Sequence, residues 1–186
     1  MKKKLKAILE EIQVNVRHVD SMGNLIARFH TELVDAGLLR VNADETSDPF
    51  LSIADIVREK TTSIINKLDL IEEWLNTGST KQLMLIQGVT IEHQAIYILR
   101  DIQINVWHVD SMAYLLGTLY YDLIASGELD TSKSVTTSEP FLSISDIVQE
   151  KAKLISEKLD LFEELLDAGT VKQQKGSAKE RETTIN

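Results

Sequence analysis

The sequence predicts an all-α fold in which tandem duplicated helical hairpins form a four-helix bundle-like domain. Three observations lead there. Residues 8–39 return, shifted by 90, at 98–129, and residues 49–78 return, shifted by 91, at 140–169, with 34 of 62 aligned positions identical. Within each block the apolar residues step by threes and fours, the spacing of one helix face. No stretch of useful length alternates with period two, so no sheet is expected. A chain of 186 residues, 43% apolar, can bury roughly 70% of its unfolded surface and needs no covalent staple. The repeat divides it into a first hairpin (1–78), a linker (79–90), a second hairpin (91–171) and a tail (172–186).

The first helix of each unit carries an apolar seam. Ile8, Ile12, Asn15, Val19, Met22, Ile26, Phe29 and Leu33 step by four and three. Their copies are Ile98, Ile102, Asn105, Val109, Met112, Leu116, Leu119 and Leu123. Gly37 and Gly127 follow, at the position where a left-handed residue closes a helix. A connection of about 14 residues, long for a helical hairpin, is expected to be anchored by Leu39 and Phe50.

For the second helix, Ser52 and Ser143 are the expected N-caps, with Asp55 and Asp146 three residues on in a capping-box arrangement. Leu51 to Ile56 and Leu142 to Ile147 have the spacing of a hydrophobic staple, and Pro49 and Pro140 stand just upstream. The seam Val57, Thr61, Ile64, Leu68, Ile71, Leu75 is copied as Val148, Ala152, Ile155, Leu159, Phe162, Leu166, and Gly78 and Gly169 are the expected stops. Two hairpins that cannot bury their apolar faces alone pack most simply as a pseudo-twofold bundle. The linker's Leu83-Met84-Leu85-Ile86 is expected to tuck against it, and the polar tail from Lys172 to be disordered.

One difference between the copies is systematic. Opposite the seam, Glu10, Arg17, Asn24 and Thr31 become Arg100, Trp107, Tyr114 and Tyr121, while Tyr120 replaces His30 alongside. An exposed aromatic stripe of this kind has the size and composition of an interaction surface. It packs within the chain, against a second copy, or against a different protein, and Trp107, Tyr114, Tyr120 and Tyr121 are the candidate partner-binding residues. Residues 91–171 carry 5 basic and 14 acidic side chains, which repel phosphate backbones; no nucleic-acid partner is expected.

Polar residues kept in both copies make the other candidate site: Asn15, His18, Asp20 and Ser21 recur as Asn105, His108, Asp110 and Ser111. If the twofold joins His18 to His108, with Met22 and Met112 nearby, the set suits a haem or a metal such as copper. The structural alternative is a seam asparagine, Asn15 and Asn105, that fixes helix register, with a hydrogen-bonded histidine beside it. A di-iron centre needs Glu three residues before His, and those positions hold Asn15, Ala27, Thr90 and Asn105. Nucleophile-elbow, phosphate-loop, dinucleotide and zinc-protease motifs are absent, and there is no cysteine. The amino-terminal MKKKLKAILEEIQ starts like an export signal, but Glu10 and Glu11 interrupt it, and no apolar run is long enough to span a membrane. The expectation is a soluble cytoplasmic, non-catalytic interaction or scaffolding module without a cofactor, self-associating or bound to a protein partner; the alternative is a ligand-, haem- or metal-binding bundle.

Overall fold

Threes-and-fours spacing produces four long helices in the computed structural model, which describes residues 2–39, 48–77, 91–129 and 139–183. They are α1 (Lys2–Asp35), α2 (Pro49–Thr77), α3 (Ile91–Ser126) and α4 (Glu139–Thr183). Among the described residues the one backbone pairing of β type is an isolated antiparallel bridge between Leu39 and Leu129. No helix there is long and apolar enough to cross a membrane. The linker, Gly78 and the middles of both hairpin connections lie outside the described residues.

The buried stripe of α1 is Leu5, Leu9, Ile12, Val16, Val19, Gly23, Ile26, His30 and Leu33, again stepping by four and three, with Ile8 buried beside it. It shares Ile8, Ile12, Val19, Ile26 and Leu33 with the expected seam. The other row lies one residue further along, so Asn15, Met22 and Phe29 stand half-buried at the margin. On α3 the matching row is Ala95, Leu99, Val106, Ala113 and Tyr120, all buried. The seams expected for α2 and α4 are buried along their whole lengths.

Helix ends follow local chemistry. Gly37 and Gly127 take φ values of 66° and 74°. Around Gly37 the Leu38 amide donates to the Leu33 carbonyl (3.0 Å) and the Gly37 amide to Val34 (2.9 Å), the paired bonds of a glycine-closed helix. A Cβ at Gly37 would meet nothing within 4 Å, so Gly37→Ala probes backbone strain alone. It is expected to lower the unfolding free energy by about 1 kcal/mol, read as a lower urea midpoint, with Gly37→Asn costing less.

The start of α2 differs from expectation. Asp48, not Ser52, is the N-cap: its Oδ1 accepts from the amides of Phe50 (2.9 Å) and Leu51 (3.2 Å). Pro49 occupies the first helical position, where its fixed φ suits a helix and its missing N–H leaves nothing unsatisfied. Ser52 is one turn inside and donates its hydroxyl to the Asp48 carbonyl at 2.9 Å. Ser143 is likewise inside α4, which begins at Glu139. Leu51 and Ile147 are exposed, so the expected staples do not form; Phe50, Ile53, Ala54 and Val57 face the core instead. α4 continues through Gly169 to Thr183, so the backbone of residues 172–183, expected to be disordered, is helical. Lys, Gln, Ala, Glu and Arg dominate that stretch, and a lone interior glycine costs only about 1 kcal/mol against alanine.

Each helix packs antiparallel against two neighbours, in the cyclic order α1, α2, α3, α4, which puts α1 and α3 on one diagonal. Bonds from Gln13 to Glu72 and from Gln103 to Asp160 mark the two hairpins, and Asn105 to Ser63 marks the seam between them. Equivalent residues meet at one end: Leu39 bridges Leu129, and the rings of Phe50 and Phe141 lie 4.8 Å apart. The pseudo-twofold axis passes between those pairs and runs along the bundle.

Candidate functional site

The outward side of α3 holds the aromatic stripe. Trp107 is 66% exposed, Tyr114 67% and Tyr121 59%, so they do not pack within the chain. Their seven-residue spacing stacks them on the side opposite the core, because seven residues are close to two helical turns. Tyr120 departs from expectation: it is only 3% exposed. Its position is that of His30 in α1, which is also buried, and its ring stacks on Phe141 with centroids 6.3 Å apart. One residue of shift, about 100° of rotation, separates it from the outward row.

Sequence reading missed the rest of this face. Tyr97 and Ile104, seven apart, and Leu115 are also exposed, extending the apolar strip from Tyr97 to Tyr121, about 36 Å at 1.5 Å per residue. The signal was present in the comparison of copies, since Tyr97 and Ile104 replace Ala7 and Val14.

The repeated polar run does not converge. His18 is exposed and His108 half-buried on helices that lie diagonally across the bundle, and Met22 and Met112 are half-buried at the core margin. Among the described residues no three His, Asp or Glu side chains are grouped to hold a metal ion. His108 lies beside the Trp107 ring at 5.4 Å, with its Nδ1 enclosed. The asparagines do not pair with each other: Asn15 donates to the Glu11 carbonyl (3.0 Å), and Asn105 to Asp101 (3.0 Å) and across to Ser63 Oγ (3.4 Å). Ser21 and Ser111 donate to carbonyls one turn back in their own helices, at 3.0 and 2.9 Å.

Asp20, like Asn105, reaches another helix. Its Oδ1 accepts from the buried Thr61 hydroxyl at 2.9 Å. On the second hairpin the matching place is the floor of a groove of about 570 Å³ between α3 and α4, whose walls include Trp107, Asp110, Asp146, Gln149, Glu150 and Lys153. The aromatic strip therefore runs into an acidic groove, with Trp107 belonging to both. No family model, curated protein or solved structure matches this chain.

Proposed function

We propose that the chain is a cytoplasmic, non-catalytic helical interaction module that binds another protein through the outward face of α3. One observation carries this reading. Tyr97, Ile104, Trp107, Tyr114 and Tyr121 are all exposed along the outward side of one helix. The diagonal helix has Ala7, Val14, Arg17, Asn24 and Thr31 at those positions. Folding accounts for neither the residues nor their exposure, because the first copy builds the same hairpin without them. Trp and Tyr supply large rigid contact areas at low entropic cost and dominate interface energetics. A helix about 10 Å wide exposing 36 Å of length offers roughly 360 Å². That is near half of the ~800 Å² each partner contributes to a standard interface, so the strip serves as its centre and the flanks of α2 and α4 as its rim.

The duplication supplies its own control. With a photoreactive phenylalanine derivative at Tyr114 and, separately, at Asn24, irradiation in the source cells is expected to give a discrete protein adduct from Tyr114 and none from Asn24. Equal labelling at both positions, or none at either, defeats the reading. An adduct of twice 20.9 kDa composed of this chain alone marks self-association as the form the interaction takes.

A further inference from the structure

We infer that the groove between α3 and α4 receives an arginine side chain from a basic partner protein, its guanidinium held by Asp110 and Asp146 and laid against the Trp107 indole. This rests on the interaction reading above and specifies the chemistry of the occupant.

The argument comes from what the two copies keep and lose. Three carboxylates are kept: Asp20, Asp55 and Glu59 recur as Asp110, Asp146 and Glu150. In the first hairpin each has a partner. Asp20 accepts from Thr61 at 2.9 Å, Asp55 stands 3.7 Å from the Arg58 guanidinium, and Glu59 lies 2.9 Å from Lys60. The Arg58 stem crosses over Gly23 of α1, 3.0 Å from where a Cβ there would sit, and Arg17 is exposed on α1 at the position equivalent to Trp107. In the second hairpin two of the three partners are gone. Thr61 has become Ala152, which donates nothing; Arg58 has become Gln149; Arg17 has become Trp107. Glu150 keeps its lysine, Lys151, at 3.2 Å. Asp110 and Asp146 have no hydrogen-bond or ion-pair partner among the described residues.

Open space lies beside both sets, about 420 Å³ next to Asp20 and Arg58 and about 570 Å³ next to Asp110 and Gln149. Lys153, where the first copy has Thr62, returns one positive charge for the two guanidiniums removed. Two carboxylates and an indole on the walls of one groove match the planar guanidinium, which donates in a fork to carboxylates and stacks on aromatic faces. An ammonium ion is a point charge and uses less of this set. The first copy thus supplies internally what the second leaves to be supplied from outside. Charge favours a different protein over a second copy, because residues 91–171 carry a net −9 and two such faces repel.

A full-length Trp74→Phe background makes Trp107 the sole indole and its fluorescence the readout. The probe is a blocked pentapeptide with a central arginine between leucines; peptides with lysine or glutamine at that place serve as comparators. The arginine peptide is expected to bind saturably, and the glutamine peptide about tenfold or more weakly, as loss of charge-assisted bonds implies. Asp110→Asn/Asp146→Asn, and separately Gln149→Arg, which restores the first copy's internal arginine, each weaken the arginine peptide about tenfold. The mirror variant Asp20→Asn/Asp55→Asn leaves it unchanged. All these positions are exposed or half-buried, and matching urea midpoints confirm folding. The inference is overturned if arginine and glutamine peptides bind alike, or if the mirror variant weakens binding as much as the groove variant. It is also overturned if sedimentation shows a dimer that Arg17→Ala dissolves, since a second copy then fills the groove. A Tyr114 adduct that persists undiminished in Asp110→Asn/Asp146→Asn defeats the arginine assignment and leaves the interaction reading standing; loss of the wild-type adduct defeats the latter.

Discussion

Phe141→Ala is expected to cost the fold about 3–5 kcal/mol, the largest effect of any single truncation considered, because a fully buried phenylalanine is replaced by a cavity. Phe141 has no exposed surface. Its ring meets Phe50 at 4.8 Å, Phe29 edge-on at 6.2 Å and Tyr120 at 6.3 Å. These four rings come from all four helices and gather where the pseudo-twofold axis leaves the bundle. The lost transfer energy is therefore accompanied by loss of ring contacts on three sides, and helices held at both hairpin ends have little freedom to collapse into the void. Domains of this size are usually stable by only 5–15 kcal/mol, so the variant should unfold at much lower urea or heat. Phe141→Leu should lose less than half as much. A loss below about 1.5 kcal/mol for the alanine variant would show that the ring cluster is not the keystone of that end.

Asp48→Ala is the second large effect, expected at about 2–4 kcal/mol, because one carboxylate has two duties. Its Oδ1 caps α2 through the Phe50 and Leu51 amides. Its Oδ2 lies 2.5 Å from Nε2 of His30, a buried side chain whose ring also rests 5.8 Å from Phe50. Alanine removes the cap and leaves an enclosed imidazole nitrogen without a polar neighbour, and each loss is worth roughly 1–2 kcal/mol. Asp48→Asn separates them: an amide oxygen still caps, while the charged contact to His30 is gone. Chemical denaturation should place the asparagine variant near midway between wild type and alanine. Identical midpoints for the asparagine and alanine variants would assign the whole effect to His30.

Much of this architecture was legible in the residues, and the failures have physical causes. Repetition and apolar spacing gave the helices and their number, because those signals sum over many positions. The register of the core was harder. The deciding row contains Gly23 and His30, neither of which reads as core, whereas Met22 and Phe29 beside them do. Burial at Gly23 comes from close approach to Val57 and Arg58, and at His30 from Asp48, neighbours distant in sequence. The same one-residue displacement put Tyr120 on the outer face when it belongs inside. The cap of α2 was missed although Asp48-Pro49 carries a known signature, because Ser52 offered a rival pattern four residues after Asp48. Of the candidate face, the spacing of Trp107, Tyr114 and Tyr121 was visible at once. The groove was not, because it depends on which partners Asp110 and Asp146 lack, and that emerges only when Thr61 and Arg58 are seen beside Asp20 and Asp55.

The diagonal placement of α1 and α3 bears on valency. A duplicated body whose halves were identical would present the same adhesive flank on two opposite sides, and such units join end over end into open fibres. Here one flank is polar and the other aromatic, so under the proposed interaction each molecule would offer a single junction and would end an assembly, not extend it.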